Sequence, residues 1–124
     1  MSKTNNNMMN ASNGILSQSA WWVLNKSLTI YLGFDASLLL SDLTAKQDYF
    51  HHRGMLDDQG YFYCLRKDIE ADTSISEQRQ IRALSRLGEE GLVNFYKKKT
   101  TPPRIFYRVN HLKINELIIK LHNQ

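Results

Sequence analysis

Cysteine is almost missing from this chain: Cys64 is the only one in 124 residues. A single thiol excludes an internal disulfide and a cysteine-based zinc site, and it fits a reducing, cytoplasmic setting. Its neighbours Tyr63 and Leu65 predict a buried, inert thiol. Proline is nearly as scarce, and both copies, Pro102 and Pro103, sit side by side. No apolar run approaches the roughly 20 residues needed to span a bilayer. The Asn- and Ser-rich start, MSKTNNNMMNASN, has no basic-then-apolar pattern, so no signal peptide is expected. Glycine-rich phosphate loops, nucleophile elbows and metalloprotease motifs are also missing. His51-His52 is the only histidine cluster. Adjacent helical residues point about 100° apart, a poor chelate, and no third ligand is near in sequence. Asp57-Asp58 reads as a turn, not a catalytic pair. The expectation is a protein without metal, cofactor or catalysis.

What is present describes an ordinary folded chain of one domain and modest core: 42% hydrophobic and 23% charged residues. The net charge of +4 is unevenly spread. Residues 1–75 carry 6 basic and 8 acidic side chains, net −2, whereas residues 76–124 carry 10 and 4, net +6. A positive excess gathered in one part of the chain points to a polyanionic partner.

Along the chain, residues 1–13 read as a disordered arm and residues 14–124 as the domain. Trp21-Trp22-Val23-Leu24 fits either a short strand or a helix start. Two adjacent tryptophans cannot both face inward on one strand, so one of them is expected against another segment or a second subunit. Lys26 to Leu32 predicts a short helix stopped by Gly33. Phe34 to His52 predicts a long one, with Asp35 as its N-cap, Leu39, Leu43 and Phe50 on one face, and Gly54 as its end. Asp57 to Gly60 is a turn, and Tyr61 to Leu65 a strand with Met55-Leu56 as a candidate partner across that turn.

The stretch from Tyr61 to Val109 carries the functional signal. A helix over Asp68–Thr73, with Ile69 inward, is followed by the polar link Ser74-Ile75-Ser76 and a helix to Glu90, closed by Gly91. Its start is open between Ser76 as N-cap and a capping box of Ser74 with Glu77. Ile81, Leu84 and Leu87 are its expected buried stripe, with Gly88 a weak point. Leu92 to Tyr96 and Ile105 to Val109 are strand-like, and the tip between them, Lys97 to Pro103, takes the prolines that a paired strand cannot hold. A last amphipathic helix begins at Asn110, with Leu112, Leu117, Ile118 and Leu121 as its apolar positions. The fold class is therefore α+β, mainly helical: a winged helix-turn-helix with a C-terminal helix. In that plan the second helix of the pair enters the DNA major groove.

Candidate DNA-binding residues follow from position. Gln78 and Arg79, with Ser76, stand at the start of the recognition helix, where side chains reach base edges. Arg82 and Arg86 continue a basic stripe suited to phosphates. Lys97, Lys98 and Lys99 sit at the wing tip, and Arg104 and Arg108 share one strand face by their even spacing. Tyr96 and Tyr107 are expected to pack across the strands rather than stack on bases.

The run from Leu24-Asn25-Lys26 to Ile114 resembles the winged-helix domain at the N-terminus of DnaD-like proteins and of phage and plasmid replication initiators and replisome organisers. The matching pieces include Gly60-Tyr61-Phe62-Tyr63, Asp68-Ile69 leading to Asp72-Thr73, and Ser76 with Gln80. The block Leu84, Leu87, Gly91-Leu92-Val93 and the return through Arg104 to Val109 complete the set. The resemblance implies duplex DNA as partner, in replication initiation or transcriptional control of a mobile element. DnaD-like proteins carry a second domain, tied to helicase loading, which these 124 residues do not match. A homodimer is expected, because Ile15 to Leu24 and Asn110 to Leu121 hold more apolar residues than the central motif can cover. The competing expectation is a non-enzymatic protein-interaction module that uses the acidic first half and Trp21-Trp22.

Overall fold

The structure, a computed structural model, describes residues 22–101 and 103–124. The expected N-terminal arm, Ile15 to Trp21 and Pro102 lie outside the described residues. The chain folds as α1 (Lys26–Leu32), α2 (Phe34–His52), β1 (Phe62–Cys64), α3 (Arg66–Thr73), α4 (Glu77–Glu89), β2 (Val93–Lys98), β3 (Arg104–Val109) and α5 (His111–His122). It is thus α+β and mainly helical, with one small antiparallel sheet ordered β1-β3-β2. No helix among the described residues is long and apolar enough to cross a membrane.

Local chemistry accounts for most boundaries. The Asn25 side chain accepts from the Leu28 amide and starts α1. Gly33 then ends α1 and begins α2 in a single residue, with φ 92° and ψ 160°. Gly33, not the expected Asp35, is thus the N-cap of α2; Asp35 lies in its first turn, its carboxylate committed elsewhere. Gly33's backbone region is essentially closed to other residues. Gly33→Ala should therefore cost about 1–3 kcal/mol, although nothing lies within 4 Å of the added Cβ. A denaturant midpoint unchanged by the substitution would show that the α1–α2 corner does not depend on this conformation.

Three further expectations are corrected. Trp22, Val23 and Leu24 belong to neither helix nor strand; the Trp22 indole donates to Asp42 at 3.3 Å and Ser41 donates to the Val23 carbonyl. Met55-Leu56 does not pair with β1. The Asp57 carboxylate takes the amides of Gln59 and Tyr61 and closes a tight loop, which delivers β1 to β3, with Tyr63 opposite Phe106. Strand β2 runs to Lys98, so Lys97 and Lys98 are paired strand residues and the tip is shorter than expected.

The core gathers one face from each element. Leu39, Leu43, Ile69, Ile75, Leu87, Leu92 and Val93 are essentially inaccessible, joined by Leu84, Ile105, Tyr107 and Val109. Central β3 thereby sends Ile105, Tyr107 and Val109 inward and Arg104, Phe106 and Arg108 outward, the period of two that a strand imposes. Ile81, expected in the core, is 42% exposed. Gln80 takes the buried place instead, its amide donating to the carbonyls of Arg66 and Ile75. Those two bonds hold the turn between α3 and α4. Lys46 fixes α3 from the other side, bridging Asp42 of α2 and Asp72 of α3. Burial pulls its ammonium down, but the two carboxylates outweigh that and hold its pKa above the ordinary value. Cys64, expected to be buried, is half-buried; desolvation pushes its thiol up to about 11, so it stays protonated at neutral pH. Helix α5 starts at Asn110, whose side chain accepts from the Lys113 amide. It packs through Ile114, Leu117, Ile118 and Leu121. Leu112, expected with them, is exposed.

Candidate nucleic-acid interface

Helix α4 begins at Ser76, whose hydroxyl accepts from the Arg79 amide. This settles the choice between two starts. Ser74 is left-handed, with φ 64°, and ends α3. As a cap the Ser76 oxygen accepts from Arg79, which leaves its hydroxyl hydrogen free to donate. With Gln80, Ala83, Leu84 and Leu87 buried, helical geometry turns Gln78, Arg82 and Ser85 directly away from the core. All three are exposed.

The other two arginines of the expected stripe flank that face and are tied to the protein. Arg79 grips Asp35 of α2 with two nitrogens, Nε at 2.8 Å. The guanidinium holds the Asp35 carboxyl below the ordinary carboxylate range, chiefly by this hydrogen bond. A carboxyl lowered on folding contributes stability above its unfolded value and loses it as pH falls through the lowered one. Arg86 donates to the Tyr31 carbonyl at 3.2 Å and lies 5.1 Å over the Tyr31 ring. It joins α4 to α1. The Tyr31 hydroxyl is raised in pKa, first by its hydrogen bond with Glu90. Neither Asp35 nor Tyr31 was foreseen as a partner. Both pairings bridge more than 40 positions of sequence, and no local pattern marks them.

The wing cations divide between two sides of the sheet. Lys97 lies opposite Ile105 in register and so shares the side on which α4 packs. Phe95 is on that side too, against Gly88. Lys98, Arg104 and Arg108 fall on the other side, with Asn94, Tyr96 and Phe106. Arg104 and Arg108 do share one face, as their spacing predicts. Lys99 follows β2 at the tip. Arg108 donates to the Gln59 carbonyl at 3.0 Å. Tyr96 and Tyr107 do pack across the strands, on opposite faces: buried Tyr107 lies 5.8 Å from Phe62, and Tyr96 stacks on Phe106 across the outer face, centroids 5.0 Å apart. Among the described residues, Arg82, Lys97 and Lys99 make no ion pair, and no group of three or more His, Cys, Asp or Glu could hold a metal.

Compared with known proteins, the chain matches no protein-family model, no curated protein and no solved structure.

Proposed function

We propose that this is a winged helix-turn-helix that binds duplex DNA, with α4 in the major groove and the β2–β3 hairpin over the backbone. The observation that carries this reading is the set of cations left free: Arg82 faces outward on α4 with Gln78 and Ser85, Lys97 and Lys99 are exposed on the β2–β3 hairpin, and among the described residues none of these three cations makes an ion pair. The order of elements supports it, since α2, β1, α3, α4, β2 and β3 run in the winged-helix sequence with β3 between its two neighbours. Strands β2 and β3 hold no acidic residue. Gln78 reads base edges, while Arg82, Lys97 and Lys99 neutralise phosphates. In line with the resemblance noted above, the setting is replication or transcription of a mobile element. Selection of duplexes from a random pool tests the reading: an enriched motif lost on Gln78→Ala supports it, and no enrichment counts against it.

Arg79 joins this surface only by leaving Asp35. An exposed ion pair contributes little to stability, so DNA phosphate competes with it readily. Asp35→Asn should tighten duplex binding by roughly two-fold, because it frees Arg79 for phosphate. Fluorescence anisotropy at fixed salt measures it, and unchanged or weaker binding would assign Arg79 to the fold alone.

A homodimer through α5 is part of the proposal. Leu112 and Ile119, one heptad apart on the same helical face, are 69% and 61% exposed. Sedimentation should find a dimer at high micromolar concentration and a monomer after Leu112→Asp with Ile119→Asp. A monomeric parent chain would remove this part. A second reading, a protein-interaction module, rests on the same apolar pair: capture of a different protein by α5, with no duplex binding, would favour it.

A further inference from the structure

The outer face of the sheet, opposite α4, carries a row of aromatic rings that the duplex reading leaves unused. Tyr61 meets Tyr96 edge to face at 5.0 Å. Tyr96 stacks on Phe106 with only 5° between the planes, and Phe106 lies 5.8 Å from Tyr63. Guanidinium groups close both ends of the row, Arg108 at 4.6 Å over Tyr61 and Arg104 at 4.8 Å over Tyr63. Lys98 adds a third cation, 5.2 Å over Phe106. The three strands contain no Asp or Glu. Two rings of the row remain open, Tyr63 at 43% and Tyr96 at 39% exposure, and no element of the described chain covers this side.

We propose that this face binds single-stranded nucleic acid, stacking unpaired bases on the tyrosines and guanidiniums and neutralising phosphates with the same cations. The charge is what selects the occupant. A purely apolar partner would leave three cations facing it unpaired, which is costly. An acidic peptide would satisfy the charge but leave the ring surface without flat partners. A single strand supplies both an anionic backbone and π-faces, the combination such platforms use. Duplex DNA keeps its bases stacked inside and offers this face only phosphate. The surface is separate from the outward side of α4, so the inference stands or falls independently of the duplex reading.

The test uses the full chain and two labelled probes, a thymidine 12-mer and a hairpin duplex. Tyr63→Ala and Tyr96→Ala should each weaken binding of the 12-mer by about five-fold or more, the worth of one stacked base. They should leave duplex binding unchanged, and Tyr→Phe at either position should restore the loss. Gln78→Ala with Arg82→Ala should do the reverse. Because an aromatic row also supports the sheet, the parent chain is cross-linked in parallel to a bromouridine-containing strand, with attachment expected at Tyr61, Tyr63 or Tyr96. The inference is overturned by a parent chain that ignores the 12-mer, by alanine variants that bind it undiminished, or by equal losses on both probes. Cross-links confined to α4, or displacement of the 12-mer by polyglutamate at equal charge, would overturn it as well.

Discussion

Leu87→Ala should destabilise the fold by about 2–5 kcal/mol, while Ile81→Ala, earlier on the same helix, should change it by no more than about 0.5 kcal/mol. Leu87 is wholly buried, with 0% exposure, and Leu84 nearly so. Truncating Leu87 leaves a cavity between α4 and the elements packed on it, and the loss of transfer energy adds to the cost of the void. Ile81 stands partly in solvent, so its truncation removes little buried surface. Chemical denaturation with an unchanged slope measures both. The contrast matters more than either value. A large loss at Ile81 and a small one at Leu87 would rotate α4 and take Gln78 and Arg82 off its outward face.

The helix and strand periods made much of this fold legible. Lys26–Leu32, the long second helix and the α3–turn–α4 pair all lie where the spacing of Leu39, Leu43, Ile69, Leu84 and Leu87 puts them. Glycine punctuation helped: Gly33 and Gly91 both have positive φ, the conformation that makes glycine a helix stop. The face of α4 was misjudged by about one residue in its first turns because Ile81 is apolar and Gln80 is not. A buried glutamine becomes favourable only when carbonyls such as those of Arg66 and Ile75 meet its amide, and that meeting is tertiary.

The candidate site was legible as composition and less so as geometry. Basic residues do gather on α4 and the hairpin, but the sequence alone gives no sign that Asp35 and Tyr31 hold Arg79 and Arg86. The outer sheet face was half visible. The alternation Arg104, Phe106, Arg108 marks one side of a strand. Only the pairing of β1 with β3 brings Tyr63 beside Phe106 and completes the row.

The second large effect concerns affinity. Replacing Arg82, Lys97 and Lys99 together by alanine should weaken binding to every duplex alike, because phosphates carry no sequence information. All three side chains are exposed, and their removal should leave the unfolding midpoint near that of the parent. Each phosphate contact releases condensed counterions and adds about 0.9 to the slope of log affinity against log salt. Loss of three contacts should therefore flatten that slope by about 2.7. The difference between the two proteins should be largest at low salt and shrink as salt rises.

Duplex affinity measured across a salt series, for the parent chain and this triple variant side by side, tests the central claim most directly. The predicted result is a steep parent slope that falls by about 2.7 in the variant, with preference among duplex sequences retained. A variant with the parent's affinity and slope would contradict duplex binding by α4 and the hairpin.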